Sequence, residues 1–241
     1  MQIITLASWK GGTGKTSLTV AAIEILAALG KKILVIDLDS NLSISSIYNM
    51  IGGNYTSIDL LNGTMPIKKI PFTFSNHEVG FIPSRLEISR MTAISDRVLK
   101  INLWKLFSAE TFDIYDYIFI DPPGTMNALT RNAIVAADKI IIPAMFSDID
   151  FSATKLIFEE MEMCGAEADI QIVLNRFDEK RNAPGIEDRF RQDEQFKDFM
   201  WQGKISSMRS IARLTSELQS GYALQGLAKQ IIENFVDEVI L

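Results

Sequence analysis

Cysteine and histidine are nearly missing from this chain of 241 residues, which has one of each, Cys164 and His77. A single thiol excludes an intrachain disulfide framework, a Cys-x-x-Cys redox pair and a thiolate zinc cage. Cys164 is therefore expected to be a small buried hydrophobe, and His77, in an irregular stretch, a surface residue. No apolar run approaches the length that spans a bilayer. The opening Met1-Gln2-Ile3-Ile4-Thr5-Leu6 lacks the basic region and apolar stretch of a signal peptide, so a reducing, cytoplasmic setting is expected. Positive charge is in deficit, with 24 Lys and Arg against 30 Asp and Glu. That excludes a protein that coats nucleic acid with its whole surface and leaves only local basic patches for DNA.

Short β-rich runs alternate with longer segments of helical period. Ile3–Ala7, Lys32–Ile36, Val79–Ile82, Tyr117–Ile120, Lys139–Ile142 and Ile170–Leu174 read as strands, and Ser17–Leu29, stopped by Gly30, reads as the first helix. The near-continuous apolar runs suit parallel strands covered on both faces. They predict an open, doubly wound, mostly parallel α/β sheet with helices on both faces, in a single domain over residues 1–241. Such sheets bind ligands at the carboxyl ends of their strands. Residues 52–76 are the least regular stretch. Arg176–Asp198, with mixed charge, reads as solvated helix or loop surface.

The strongest signal is Lys10-Gly11-Gly12-Thr13-Gly14-Lys15-Thr16-Ser17, between the first strand and the first helix. Glycines let backbone N–H groups curl around phosphate oxygens, and the helix N-terminus adds partial positive charge. Lys15 is placed to reach β- and γ-phosphates, and the Thr16 hydroxyl to ligate Mg²⁺. Asp37-Leu38-Asp39 closes the second strand, and Asp121 closes the fourth of the clear runs before Pro122-Pro123-Gly124. Carboxylates at that sheet edge suit a metal's water shell and an attacking water. Turn or helix capping is the alternative for each aspartate.

The loop departs from the ordinary P-loop in two ways: Trp9 stands where a glycine is usual, and Lys10 adds a second lysine. With both it resembles the deviant Walker A motif of the ParA/MinD family, Lys-Gly-Gly-x-Gly-Lys-(Ser/Thr). That resemblance implies a P-loop ATPase with ATP and Mg²⁺ as ligands, and a Lys10 that crosses a nucleotide-sandwich homodimer to the partner's phosphates. Trp9 has no role in that pattern and is expected to pack in the core or an interface. The family's Asp-x-Asp-Pro-Gln switch makes Asp39 the residue that orients water and Asp37 a metal-side group, although Ser40-Asn41 replaces Pro-Gln here. Asp121 matches the metal-side aspartate, Gly124 a backbone contact to the γ-phosphate, and Asn175 an adenine-reading amide.

Among family members, iron–sulfur relatives need cysteines that this chain lacks, and tyrosine kinases a tyrosine cluster that it also lacks. The Gln230–Leu241 tail is acidic, which disfavours stable membrane anchoring and suggests a helix packed on the sheet. No helix-turn-helix extension precedes the P-loop, so operator binding is not expected. Met200–Lys229 carries Lys204, Arg209, Arg213 and Lys229 against Glu217 alone, and Arg85–Lys105 is also net basic. Either patch suits nonspecific DNA or simple charge balance. The resemblance thus implies a nucleoid-associated partition or cargo-positioning ATPase, switched off by a centromere-binding or adaptor protein with a basic N-terminal segment. A membrane-associated division-site regulator and a module that holds nucleotide without turnover are the alternatives.

Overall fold

The computed structural model describes residues 1–52, 54–64, 72–73, 79–93, 114–178, 184–207, 209–217 and 223–241. His77 and residues 94–105 of the upstream basic patch lie outside them. The apolar runs form one sheet of β1 (Gln2–Leu6), β2 (Ile33–Asp37), β3 (Phe72–Thr73), β4 (Val79–Ile82), β5 (Tyr117–Asp121), β6 (Lys139–Ala144), β7 (Asp169–Phe177) and β8 (Ile205–Ser206). Their spatial order is β3-β4-β2-β5-β1-β6-β7-β8. Every neighbouring pair is parallel except β3 with β4 at the edge. β1 lies between β5 and β6, and the chain leaves it toward β2 on one side and returns to β6 on the other. The crevice at the carboxyl ends therefore opens beside β1.

The helices are α1 (Lys15–Ala28), α2 (Ser43–Ile47), α3 (Ser57–Leu61), α4 (Ala128–Ala136), α5 (Asp148–Cys164), α6 (Ile186–Gln192), α7 (Arg209–Glu217) and α8 (Gly226–Phe235), with a 3₁₀ segment at Leu86–Ala93. Strand pleating sends alternate side chains to opposite faces. Ile33 and Val35 meet α1, α2, α7 and α8 on one face, while Leu34 and Ile36 meet α3 and α4 on the other. α5, α6 and the turn after α6 cover β6 and β7 on that second face through Phe151, Phe190 and Phe196 respectively. α1 is buried on nearly every side because α7 and α8 pack over it, which explains its Ala- and Leu-rich sequence without a polar stripe.

Several expectations change. α1 begins at Lys15, so the P-loop lysine is its first residue. α3 lies within the stretch read as irregular, set by a capping box in which Thr56 and Asp59 satisfy each other's ends. Arg176–Asp198 is not merely solvated: Ile186, Phe190 and Phe196 are buried, the first two one helical turn apart. Cys164, at the end of α5, is only half-buried, although Met161 in the same last turn reaches the core. The acidic tail packs mainly on α1, burying Ile232, Phe235 and Val236, and Lys139 Nζ donates to the Val239 carbonyl at 2.7 Å.

Candidate nucleotide site

β1 delivers the chain to the sheet edge, where Gly12 (φ +83°) and Gly14 (φ +97°) turn the loop into α1. Both angles lie where side chains are strained, so glycine is required. A hydroxyl that sequence reasoning missed organises the loop. Ser8 Oγ donates to the Lys10 carbonyl at 2.8 Å and accepts from Thr13 Oγ1 and Lys15 Nζ, each at 3.1 Å. Lys15 is buried, and loss of water lowers its pKa against the pull of Asp121 and Asp39. Its position at the end of a strand entering a glycine loop was the only sequence signal for Ser8.

Asp37 and Asp121 are register partners on adjacent strands. Burial raises Asp37 to about 6 and Asp121 to about 7, and mutual repulsion adds to the shift in Asp121. Asp37 is fully occupied: Oδ1 accepts from Asp39 N–H at 2.9 Å, and Oδ2 from Ser45 N–H at 3.1 Å and Ser45 Oγ at 2.6 Å. It holds the loop after β2 rather than facing an open cavity. Thr16 Oγ1 donates to Asp121 Oδ2 at 3.0 Å. Asp121 Oδ1 is buried with no partner among the described residues.

This hydroxyl and carboxylate, with a spare oxygen, fit a hydrated Mg²⁺, which takes few protein ligands and completes its shell with water and phosphate. Among the described residues no cluster of three or more acidic, His or Cys side chains could hold a metal without such help.

Asp39 accepts from Asn41 N–H at 2.9 Å and Asn41 Nδ2 at 3.3 Å. The turn ends with Leu42 in the left-handed region at φ +55°. Gly124 approaches the P-loop closely: a Cβ there would lie 3.5 Å from Gly11 Cα and from Lys15 Nζ. Lys15, Thr16, Asp39 and Gly124 line a cavity of about 260 Å³ over the loop. Asp39, Asn41, Pro123 and Gly124 border another of about 440 Å³ between the two switch loops.

Lys10 is paired within its own chain, 3.1 Å from Asp150 Oδ2. Asp150, in the first turn of α5, is 1% exposed, touches the Ser147 cap hydroxyl, and keeps Oδ1 without a partner among the described residues. Asn175 donates from Nδ2 to the Thr13 carbonyl at 2.7 Å and accepts the Arg176 N–H at 2.8 Å. It therefore clamps the P-loop in addition to any contact with a base. Arg176 occupies a bulge opposite β8 at φ +59°. Trp9 is half-buried against the α5 side of the core.

The three basic residues expected at DNA separate. Lys204 pairs with Glu187 at 2.8 Å and lies 3.8 Å from the Phe177 ring centroid, and Arg213 holds Glu217 through two hydrogen bonds. Arg209 instead lines a third cavity, of about 360 Å³, together with Gly14, Ser17 and Asn175.

A family model described as an AAA domain matches residues 1–174, which span β1 to most of β7 and carry the loop and all three aspartates. The chain belongs to the ParA/MinD family of P-loop ATPases. Similar ParA/MinD-type proteins include the cell division protein PomZ of Myxococcus xanthus, 31% identical over 175 residues, covering 70% of this chain and 53% of PomZ. The chromosome-partitioning ATPase Soj of Treponema pallidum is 33% identical over 142 residues, covering 58% and 55%. The matched segment thus spans little more than half the length of either relative. A plasmid partition protein of Borrelia burgdorferi, solved with AMPPNP, shares the family fold with a TM-score of 0.78 at 24% identity, covering 98% of this chain and 97% of that one.

Proposed function

We propose that this chain is an ATP-driven switch for partition or cargo positioning. ATP closes a homodimer across the P-loops, the dimer binds DNA nonspecifically, and slow hydrolysis stimulated by a partner protein releases it. The observation that carries this reading is the preformed cradle: Lys15 at the helix N-terminus, with Thr16 bonded to a buried Asp121 whose other oxygen has no partner among the described residues. When bound, Mg²⁺ would neutralise phosphate charge there, held by Thr16 and Asp121. Lys15 leaves Ser8 for the β- and γ-phosphate oxygens. Asp39, beside the cavity, orients the attacking water once Asn41 yields its hold. Lys10 exchanges Asp150 for the partner's phosphates. Surface ion pairs are weak and screened, so Lys204 and Arg213 can trade their glutamates for DNA phosphates.

Burial of the apolar side of α8 on α1 favours this reading over one in which that helix lies on lipid. The grip of Asn41 on Asp39 favours a second reading, a module that holds nucleotide without turnover. Phosphate release measured with DNA and the basic-tailed partner separates the two. Lys15→Ala is expected to abolish ATP binding. Lys10→Ala is expected to bind ATP but stay monomeric by light scattering, and Asp39→Ala to hold the ATP dimer by slowing hydrolysis. A Lys10→Ala protein that still dimerises with ATP overturns the cross-dimer role.

A further inference from the structure

Asp37 closes on the chain that follows it. One carboxylate holds the backbone both two and eight residues ahead, at Asp39 and Ser45, and so shuts residues 37–45 into a loop. Ser45 Oγ donates to Asp37 Oδ2 at 2.6 Å and accepts the Ser84 N–H at 3.1 Å, which ties α2 to the turn after β4. Asp37 and Ser45 are 0% exposed and Ser84 is 1% exposed, so water offers no substitute for these bonds. The Leu38 N–H is held as well, by the Asp121 carbonyl at 2.9 Å. The Asp39 side chain comes next in the chain, and with Ser40 and Asn41 it lines the cavity of about 440 Å³ that Ile88 and Ser89 also line. Ser84 leads into the 3₁₀ segment that carries Ile88 and Ser89, so Ser45 joins the two segments that border this cavity.

We infer that Asp37 and Ser45 form a clasp that positions Asp39, and that Asp37 is a positioning residue rather than a metal-side group; this rests on the ATPase reading above. A carboxylate that orients an attacking water must be held within about 0.5 Å by groups that are themselves locked. The side-chain hydrogen bonds of Asp39 come from Asn41, on the same turn, so its placement is only as firm as the two ends of the loop. Asp37 and Ser45 are those ends. Asp37 has both oxygens committed to these donors, whereas Asp121 keeps Oδ1 without a partner among the described residues. The two aspartates, register partners on adjacent strands, thus divide the work: Asp121 is left for the cation's water shell and Asp37 for the backbone of the loop.

Steady-state ATP hydrolysis at varied ATP and varied Mg²⁺ tests the clasp. Ser45→Ala is expected to lower kcat about tenfold, as loss of a hydrogen bond to a charged group would, with KM for ATP and the Mg²⁺ midpoint within about twofold of wild type. Ser45→Thr, which keeps the hydroxyl, is expected to restore kcat. Asp37→Asn is expected to lower kcat without raising the Mg²⁺ midpoint. A midpoint raised several-fold in Asp37→Asn overturns the inference by making Asp37 a metal-side group, and an unchanged kcat in Ser45→Ala overturns it directly. A KM that rises in step with the fall in kcat also overturns it, as a general loosening of the site. Amide hydrogen exchange without nucleotide or metal gives a second readout: the Leu38 and Asp39 amides are expected to exchange faster in Ser45→Ala, and unchanged exchange overturns the clasp. If the wild-type chain turns over no ATP, the ATPase reading fails, and the exchange result alone decides the clasp.

Discussion

Gly14→Ala probes the seam between the P-loop and β7 with two separable penalties. The first is backbone strain: at φ +97° an alanine is disfavoured by about 1–2 kcal/mol. The second is steric, because the new Cβ would lie 2.3 Å from Asn175 Nδ2, so the amide must swing away. That costs its bonds to the Thr13 carbonyl and the Arg176 N–H, about 1–3 kcal/mol for buried partners left unsatisfied. Asn175→Ala alone removes the same two bonds. In the double variant this loss is counted once, so the double variant should be more stable than the sum of the singles by about 1–3 kcal/mol. Urea unfolding without nucleotide, at one pH and with matching m-values, measures all four species. Effects that add within about 0.5 kcal/mol would show that Asn175 does not occupy the space over Gly14.

Asp121 and Asp37 have pKa values raised by burial to about 7 and about 6, above the unfolded value near 3.9. The folded protein therefore keeps protons that the unfolded chain releases, and these groups reduce nucleotide-free stability as pH rises from about 4 to about 7. Asp121→Asn should flatten that slope and raise the urea midpoint at pH 8; a steeper slope would contradict the assignment. Asp150→Asn weakens the intrachain hold on Lys10, so ATP-dependent dimerisation should occur at lower protein concentration by light scattering, and an unchanged midpoint would count against the latch. Phe196→Ala removes a fully buried ring in contact with Phe151, Phe158 and Phe190 and should cost about 3–5 kcal/mol in unfolding free energy.

The sheet was legible because parallel strands buried on both faces leave unbroken apolar runs, as Ile118-Phe119-Ile120 and Ile140-Ile141-Ile142 do. The P-loop was legible because its backbone angles admit so few residues. β8 was not, since two residues, Ile205 and Ser206, carry no period. Phe190 and Phe196 were hidden by charged neighbours that dominate the local composition while facing solvent. Asp150 could have been noticed: Ser147 before Asp148 and Asp150 is a helix-start pattern. Its pairing with Lys10, 140 residues away in sequence, is a product of the fold alone. The ion pairs of Lys204 and Arg213 illustrate the same limit, because net charge along a segment does not say which charges are already matched.

Leu42 is the one residue between Asp39 and α2 whose backbone adopts a left-handed angle without being glycine. A branched side chain there holds about 1–2 kcal/mol of conformational tension next to the carboxylate assigned to water. Any rearrangement that returns Leu42 to ordinary angles would recover that energy and partly offset the loss of the Asn41 contacts. Leu42→Gly would remove the tension, at the cost of a half-buried side chain and a freer unfolded chain, and would leave a switch with less impulse to move.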